Sequence, residues 1–347
     1  MLNVLDHLPA GLLDVPPAEL HRVLPGPTLI HLPGRRSQPL FASVLLHGNE
    51  DTGWEALRVF LREHGARELP RAFSVFIGNV AAAGRRRRFL EGQPDYNRIW
   101  TDVPGTEHLP ERAMTREVLD RMRALDVFAS VDIHNNTGLN PHYACVRRLD
   151  PRFLQLATLF SRTVVYYRKP DGVQAEAFSD WCPAVTAECG QPGQPHGVEH
   201  AADFLRACLN LAEIPSHPVA GHDIDLYHTV AIVKVPDEAS VGLEPDADIR
   251  LTADLDHLNF RELPANTVLA RLRPGSGARL RVYDENGRDV ADRYLRVVDD
   301  EIRTAVPVMP SMFTLNVTAI RQDCLGYLME RPGTPAALVG AAEAATE

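Results

Sequence analysis

The sequence predicts an α/β fold, a mixed and largely parallel sheet flanked by helices, followed by a smaller C-terminal β-domain. Three observations carry this reading. Short apolar runs alternate with amphipathic helical stretches over roughly the first two-thirds of the chain. Several of those runs end in a histidine, an asparagine or a glutamate. Beyond residue 221 the pattern changes to short alternating strands with turn residues between them. At 347 residues the chain exceeds the usual domain size of about 100–200 residues. The expected division is a catalytic domain over 1–214, a β-domain over 222–331 and a loosely ordered, alanine-rich tail over 332–347.

Taken in order, residues 1–40 form an entry segment with one expected strand at Thr28–His31, before Pro33-Gly34-Arg35-Arg36 turns the chain. Phe41–Leu46 reads as a buried strand. Asp51-Thr52 then opens a helix with Trp54, Leu57, Phe60 and Leu61 at helical spacing. Phe73–Ile77 is a second strand ending at Gly78-Asn79. A surface helix over Glu111–Leu125 precedes a third core strand at Val127–Ile133. Further strands are expected at Tyr143–Val146, Thr163–Tyr167 and Ala184–Ala187, with helices near 151–160 and 175–181 and a closing helix at Val198–Ala212. Pro215–Gly221 marks the boundary. The β-domain strands are read at Thr229–Val233, Ile249–Thr252, Thr267–Leu272, Arg279–Tyr283 and Phe313–Val317.

A net charge of -10 and a pI near 5.8 argue against a general nucleic-acid or anionic-membrane surface. No apolar run reaches membrane-spanning length and the N-terminus lacks a signal-peptide pattern, which predicts a cytoplasmic protein without a membrane partner. The five cysteines are scattered without Cys-x-x-Cys spacing and are expected as buried thiols.

In an open α/β sheet, ligands bind outside the carboxyl ends of the strands. His47, Asn79, His134 and Glu188 all fall at or just after predicted strand ends. His-x-x-Glu occurs three times, at His47–Glu50, His108–Glu111 and His196–Glu199, but only the first follows a buried strand. His47, Glu50 and the distant His134 supply three ligands and leave a fourth position for water. That is the layout of a catalytic zinc site, one Zn2+ per chain, rather than a closed structural one. Such a metal activates water at neutral pH, and Glu188 is the candidate general base, against the alternative that it only pairs with an arginine. In the run Arg85–Arg88, any one guanidinium could stabilise an oxyanion. Asn97-Arg98 could clamp a carboxylate.

With these residues assembled, the chain resembles the succinylglutamate desuccinylase/aspartoacylase family, relatives of the zinc metallocarboxypeptidases. Four ordered motifs between residues 41 and 212 carry the resemblance: His47-Gly48-Asn49-Glu50; Asn79 with Arg88 and Asp95-Tyr96-Asn97-Arg98; Asp132-Ile133-His134-Asn135; and Ala187-Glu188-Cys189-Gly190-Gln191. The resemblance implies a zinc carboxypeptidase-like fold, with His47, Glu50 and His134 as zinc ligands. It further implies Glu188 as general base and acid, Arg88 polarising the scissile carbonyl, and Asn97 and Arg98 holding a substrate carboxylate. Asn135 is expected as a minor substrate contact, and His142 and His196 as structural or rim residues. The chain departs from the family in three places. Val44-Leu45-Leu46 stands where glycine is common. A longer Arg88–Asp95 segment leaves Arg87 as an alternative to Arg88. Phe178 stands where aspartoacylases carry a second carboxylate-binding arginine, a role open to Arg168 or Lys169.

The activity implied is hydrolysis of the amide bond of a small N-acyl amino acid. Two other readings remain: a zinc carboxypeptidase acting on small peptides or cell-wall fragments, and a non-catalytic metal-binding descendant. The sequence leaves the acyl group open, and likewise the choice between monomer and homo-oligomer.

Overall fold

The structure is a computed structural model and describes residues 1–332. Apart from residue 332 itself, the expected tail over 332–347 lies outside the described residues. The chain divides into two compact units, Met1–Asn135 with His142–Asp225, and Asn136–Pro141 with the chain from Leu226 onward.

In the first unit the elements follow as β1 (Asn3–Leu5), β2 (Thr28–Leu32), β3 (Gly34–Val44), α1 (Thr52–His64), β4 (Leu69–Ile77), α2 (Val80–Ala83), α3 (Pro110–Ala124), β5 (Ala129–His134), β6 (Tyr143–Val146), α4 (Pro151–Thr158), β7 (Thr163–Tyr166), α5 (Gln174–Ser179), β8 (Ala184–Glu188) and α6 (Pro195–Asn210). The strands lie in the order β1-β2-β4-β3-β5-β8-β6-β7. All neighbours are parallel except β2 with β4 and β6 with β8. The sheet is thus mixed and largely parallel, with helices packed on it, as the alternation of runs and helices predicts. Val131, Ala42, Ser43 and Val44 have no measurable exposure. Continuous apolar runs of this kind are what a sheet covered on both faces requires. On α1, Trp54, Leu57, Phe60 and Leu61 are all buried, the stripe their spacing predicts.

Two aromatic pairs join distant segments in the core. Phe41 of β3 stacks on Phe178 of α5 with centroids 4.6 Å apart and planes 13° apart. Trp100 packs edge-on against Phe76 at 5.6 Å. Phe178 is therefore a core residue with no exposed surface, and an arginine there would bury its charge among aromatic rings. Of the two alternatives for a second carboxylate-binding cation, Lys169 is ion-paired with Asp171.

The N-terminal segment differs from the expectation in two ways. A further strand, β1, pairs in parallel with β2, and Gly34 already belongs to β3, whose first half is exposed while residues 39–44 are buried. Thus the turn is confined to the residues before Gly34.

The second unit contains β9 (Asp225–Lys234), β10 (Val241–Gly242), β11 (Ile249–Leu251), β12 (Val268–Leu272), β13 (Arg281–Asp284), α7 (Ala291–Tyr294), β14 (Leu295–Val298), β15 (Glu301–Thr304), β16 (Met309–Ser311), α8 (Val317–Gln322) and β17 (Gly326–Glu330). A five-stranded sheet runs β10-β11-β12-β15-β14. Separately, β9 pairs antiparallel with β13 and β17, and β17 with β16. Its core includes Val233, Ile249, Leu255, Leu269, Val282 and Phe313.

The expected strand at Phe313–Val317 is not formed. Both backbone groups of Phe313 bond to the side chain of Asn259: its N–H donates to Oδ1 at 2.8 Å and its carbonyl accepts from Nδ2 at 2.9 Å. Asn316 then caps α8 by accepting from the N–H of Ala319 at 3.1 Å. A side-chain clamp and a helix cap have replaced the ladder.

Candidate active site

The strand order brings β3, β5 and β8 side by side, so their carboxyl ends form one edge. In the β5–β8 register His134 lies directly opposite Glu188. Neighbours in a parallel sheet are about 4.8 Å apart and project to the same face, so this base candidate stands beside this imidazole. Past Val44 the chain leaves β3 through Leu45, a non-glycine residue at φ 55°, whose carbonyl accepts the Asn79 N–H at 2.6 Å. His47 and Glu50 follow. Between them Gly48 is pressed on α2 so closely that a Cβ would fall 2.2 Å from the Ala83 nitrogen. Only glycine lets the backbone pass there.

His47, Glu50 and His134 are all buried, with one ligand atom from each lying within 4.8 Å of the others. The Nδ1 atoms of both imidazoles converge on the Glu50 carboxylate, His47 on Oε1 and His134 on Oε2, each at 2.7 Å. Their opposite nitrogens are held by two further carboxylates: His47 Nε2 lies 2.9 Å from Asp95 Oδ1, and His134 Nε2 lies 2.7 Å from Asp132 Oδ2. Each ring thus has its Nε2 proton fixed on an aspartate and its Nδ1 aimed at a common centre.

The electrostatics follow from this crowding. Burial pushes the Glu50 carboxyl up, but the adjacent His47 and His134 outweigh it and hold the group far below the usual carboxylate range. For Asp95, burial is likewise outweighed, first by Arg88 and then by His47. Burial lowers His134, yet Asp132 and Glu50 raise it well above an ordinary histidine. The cluster demands positive charge at Nδ1. A divalent cation exchanged for the Nδ1 protons would meet that demand while every Nε2 contact stayed in place, so the donor set fits a metal.

Arg88 rather than Arg87 faces this cluster. Its Nε and Nη2 donate to Asp95 Oδ2 at 3.2 and 2.9 Å, and Nη1 lies 3.6 Å from Glu50 Oε1; Arg87 is exposed. Asn97 is buried, with Oδ1 accepting from the Gln174 N–H at 2.9 Å and Nδ2 3.2 Å from His134 Nε2. Arg98 is half-buried, and its Nη1 donates to the Asn97 carbonyl at 2.8 Å. Asn135 is a different case. Its Nδ2 donates to Thr52 Oγ1 and to the Gly190 carbonyl, both at 2.9 Å, and its Oδ1 accepts from the Thr52 N–H. With both amide hydrogens engaged, this side chain has no donor left for a substrate. Instead its backbone N–H steadies Glu50 Oε2 at 3.0 Å.

Asn79, at the end of β4, is not part of the cluster. It caps α2 through the Ala82 N–H and donates to Gln93. The two aspartates that hold the imidazoles had no role in the sequence reading. Asp132 carried a usable signal, because it precedes His134 by two residues on one strand and period two places both on one face. Asp95 carried none. Its contact with His47 spans 48 positions and belongs to no periodic element. Asp132 is itself fixed by Ser43, whose hydroxyl donates at 2.6 Å. For a metal held at this cluster, Asp132→Asn is expected to weaken binding about 10- to 100-fold, measured by zinc titration in competition with a chelator. Wild-type affinity would remove the orienting role.

His142 and His196 lie in a second histidine group. The His142 ring stacks on His200 at 4.8 Å and on His196 at 5.3 Å, and its Nε2 is buried without a hydrogen-bond partner among the described residues. Burial first, then His200 and His196, lower His142 from 6.5 to about 4. The folded chain therefore keeps this ring neutral while an unfolded chain protonates it. Stability from this group is complete above about pH 6.5 and declines as pH falls toward about 4. His142→Gln should flatten the fall in melting temperature between about pH 7 and 5; an unaltered slope would show that the ring contributes nothing.

The five cysteines are all buried, and no disulfide joins them. No helix among the described residues is long and apolar enough to cross a membrane.

No family model matches the sequence. The chain is 26% identical over 259 residues to succinylglutamate desuccinylase from Yersinia enterocolitica, covering 68% of this chain and 74% of that protein. Its structure is similar to succinylglutamate desuccinylase from Chromobacterium violaceum, with a TM-score of 0.57, 16% identity and 87% of each chain covered. The chain has the fold of the succinylglutamate desuccinylase/aspartoacylase family. A protein described by that double name, from Rhodobacter sphaeroides, aligns with a TM-score of 0.56, 13% identity and 88% of each chain covered. These alignments extend well beyond residues 41–212, so the family's fold accounts for most of the second unit as well as for the sheet that bears the site.

Proposed function

We propose that this chain is a zinc-dependent amidohydrolase that removes the acyl group from a small N-acyl amino acid. The observation that carries the reading is the convergence of two imidazole Nδ1 atoms and the Glu50 carboxylate on one edge with Glu188, the neighbour of His134 in the sheet. The sequence likeness to a desuccinylase supports the choice of amide substrate.

Zinc held by His47, Glu50 and His134 would supply the Lewis acidity that activates water at neutral pH. Glu188 takes the proton of the attacking water and delivers it to the amide nitrogen as the C–N bond breaks. Arg88, locked in place by its two bonds to Asp95, presents its remaining guanidinium edge to the carbonyl oxygen, where negative charge develops. The Asn97 amide and Arg98 hold the substrate's carboxylate. Asp95, Asp132 and the Asn135 backbone keep the ligands from turning.

The test is a hydrolysis panel with zinc-loaded protein, comparing succinyl- and acetyl-amino acids, including those of aspartate and glutamate, with dipeptides, and using chelation as control. Cleavage of N-acyl amino acids that stops on chelation and returns with zinc is expected. Cleavage of dipeptides alone would instead favour a carboxypeptidase acting on small peptides or cell-wall fragments.

A further inference from the structure

Gln174 opens α5 and has no measurable exposure. Its Nε2 donates to the Ser130 hydroxyl on β5 at 2.6 Å, while its Oε1 is buried without a hydrogen-bond partner among the described residues. Ser130 has no measurable exposure either. An apolar pair of the same shape would avoid both the unpartnered acceptor and the burial of two polar groups, so stability does not explain why an amide stands here. Its placement does.

The segment that begins α5 is laced to the one that carries Asn97 and Arg98. Trp100 donates its N–H to the Gly172 carbonyl at 2.8 Å, and Gly172, at φ 78°, lies so close that a Cβ would fall 2.4 Å from the Arg98 carbonyl oxygen. The Gln174 N–H then donates to Asn97 Oδ1 at 2.9 Å. A backbone N–H can only donate, so it decides which end of the Asn97 amide turns toward it. The oxygen is held there, and Nδ2 is left 3.2 Å from His134 Nε2. That ring nitrogen gives its proton to Asp132 and offers no lone pair, so both Nδ2 hydrogens remain for a bound carboxylate. Meanwhile the Gln174 side chain is anchored on Ser130, which shares one face of β5 with Asp132 and His134 because strand side chains alternate. One residue therefore ties the Asn97 amide to the strand that carries His134.

We propose that Gln174 is a positioning residue: it sets the orientation of the Asn97 amide and its reach from His134, so that a substrate carboxylate is held in register with the metal cluster. It touches no substrate itself. The assignment rests on the deacylase reading, in which Asn97 holds that carboxylate, and adds to it the residue that decides how well the carboxylate is recognised. Loosening the anchor weakens a contact made equally in ground state and transition state, so KM rises while kcat holds.

The test uses full-length, zinc-loaded wild type, the double variant Ser130→Ala/Gln174→Met, the single variant Asn97→Ala and the combination of all three substitutions. Replacing both hydrogen-bond partners by apolar groups of similar shape is close to neutral or stabilising, so the double variant should melt at or above the wild-type temperature. With an N-succinyl amino acid as substrate it should nevertheless show KM raised about tenfold, the effect of weakening one hydrogen bond to a charged group, and unchanged kcat. A packing role alone would not pair undiminished melting with impaired KM. In the Asn97→Ala background the same two substitutions should leave KM where Asn97→Ala alone puts it, since all act through one contact. Amide hydrogen exchange at residue 174 gives a readout independent of turnover, and it should be faster in the double variant and in Asn97→Ala than in wild type. Wild-type KM in the double variant would overturn the proposal, as would a further rise in KM on top of Asn97→Ala. If no protein hydrolyses any amide, the deacylase reading fails; faster exchange at residue 174 in the double variant then still sustains the anchor, and unaltered exchange overturns it.

Discussion

Glu188→Gln is expected to lower kcat/KM about 10²- to 10⁴-fold, the range typical of a positioned general base, while zinc content and melting temperature stay at wild-type values. The substitution preserves shape and removes chemistry. Glutamine has nearly the shape of glutamate, and position 188 is a buried strand end, so the backbone ladder to His134 and Tyr143 survives the change. What is lost is the ability to accept a proton from water and return it to nitrogen. The pH profile separates this from a structural effect, since the acidic limb set by the base should vanish from the residual activity. A variant that hydrolyses at the wild-type rate would eliminate Glu188 as the base and with it the proposed chemistry.

His134→Gln is expected to abolish both stoichiometric zinc binding and hydrolysis, with activity at least about a thousandfold below wild type. His134 joins two carboxylates, Glu50 at Nδ1 and Asp132 at Nε2. Its replacement removes one of three donors and also leaves two buried acids facing a neutral amide. Loss of one partner from a buried charge cluster typically costs about 3–5 kcal/mol, so the melting temperature should also fall. Metal analysis of the purified variant is the deciding measurement, with circular dichroism showing that the fold is retained. Retention of one tightly bound zinc per chain would relocate the metal site.

The parallel sheet was legible because its strands are buried on both faces and read as unbroken apolar runs. The α1 stripe was legible because Trp54, Leu57, Phe60 and Leu61 obey the helical period. The His47, Glu50 and His134 cluster was legible because His134 ends a strand and His47 and Glu50 follow shortly after another. Other features had no one-dimensional signal. The β14–β15 hairpin turns through Asp299 and Asp300, both at positive φ, where asparagine-glycine or aspartate-glycine would have announced such a turn. Phe313, Leu315 and Val317 alternate as a strand would, but Asn259, distant in sequence, takes both backbone groups of Phe313. Phe178 stands at a position the family resemblance associates with a substrate arginine, and only the stack on Phe41 shows that it belongs to the core. Asp95 belongs to the Asp95-Tyr96-Asn97-Arg98 motif, yet its task depends on a loop folding back to His47, which spacing does not encode.

The adjacency of β3, β5 and β8 also bears on how the molecule is made. Synthesis proceeds from the N-terminus, so the segment bearing His47 and Glu50 emerges first, then β5 with His134, and β8 with Glu188 last. Because β3 pairs directly with β5, the three proposed ligands can meet while β8 is still unsynthesised. On the proposed reading, a nascent chain would have all three ligands in place before it holds the proposed base. Metal acquisition would then precede catalytic competence, and the nearly finished sheet would already be held together by the ion it later uses.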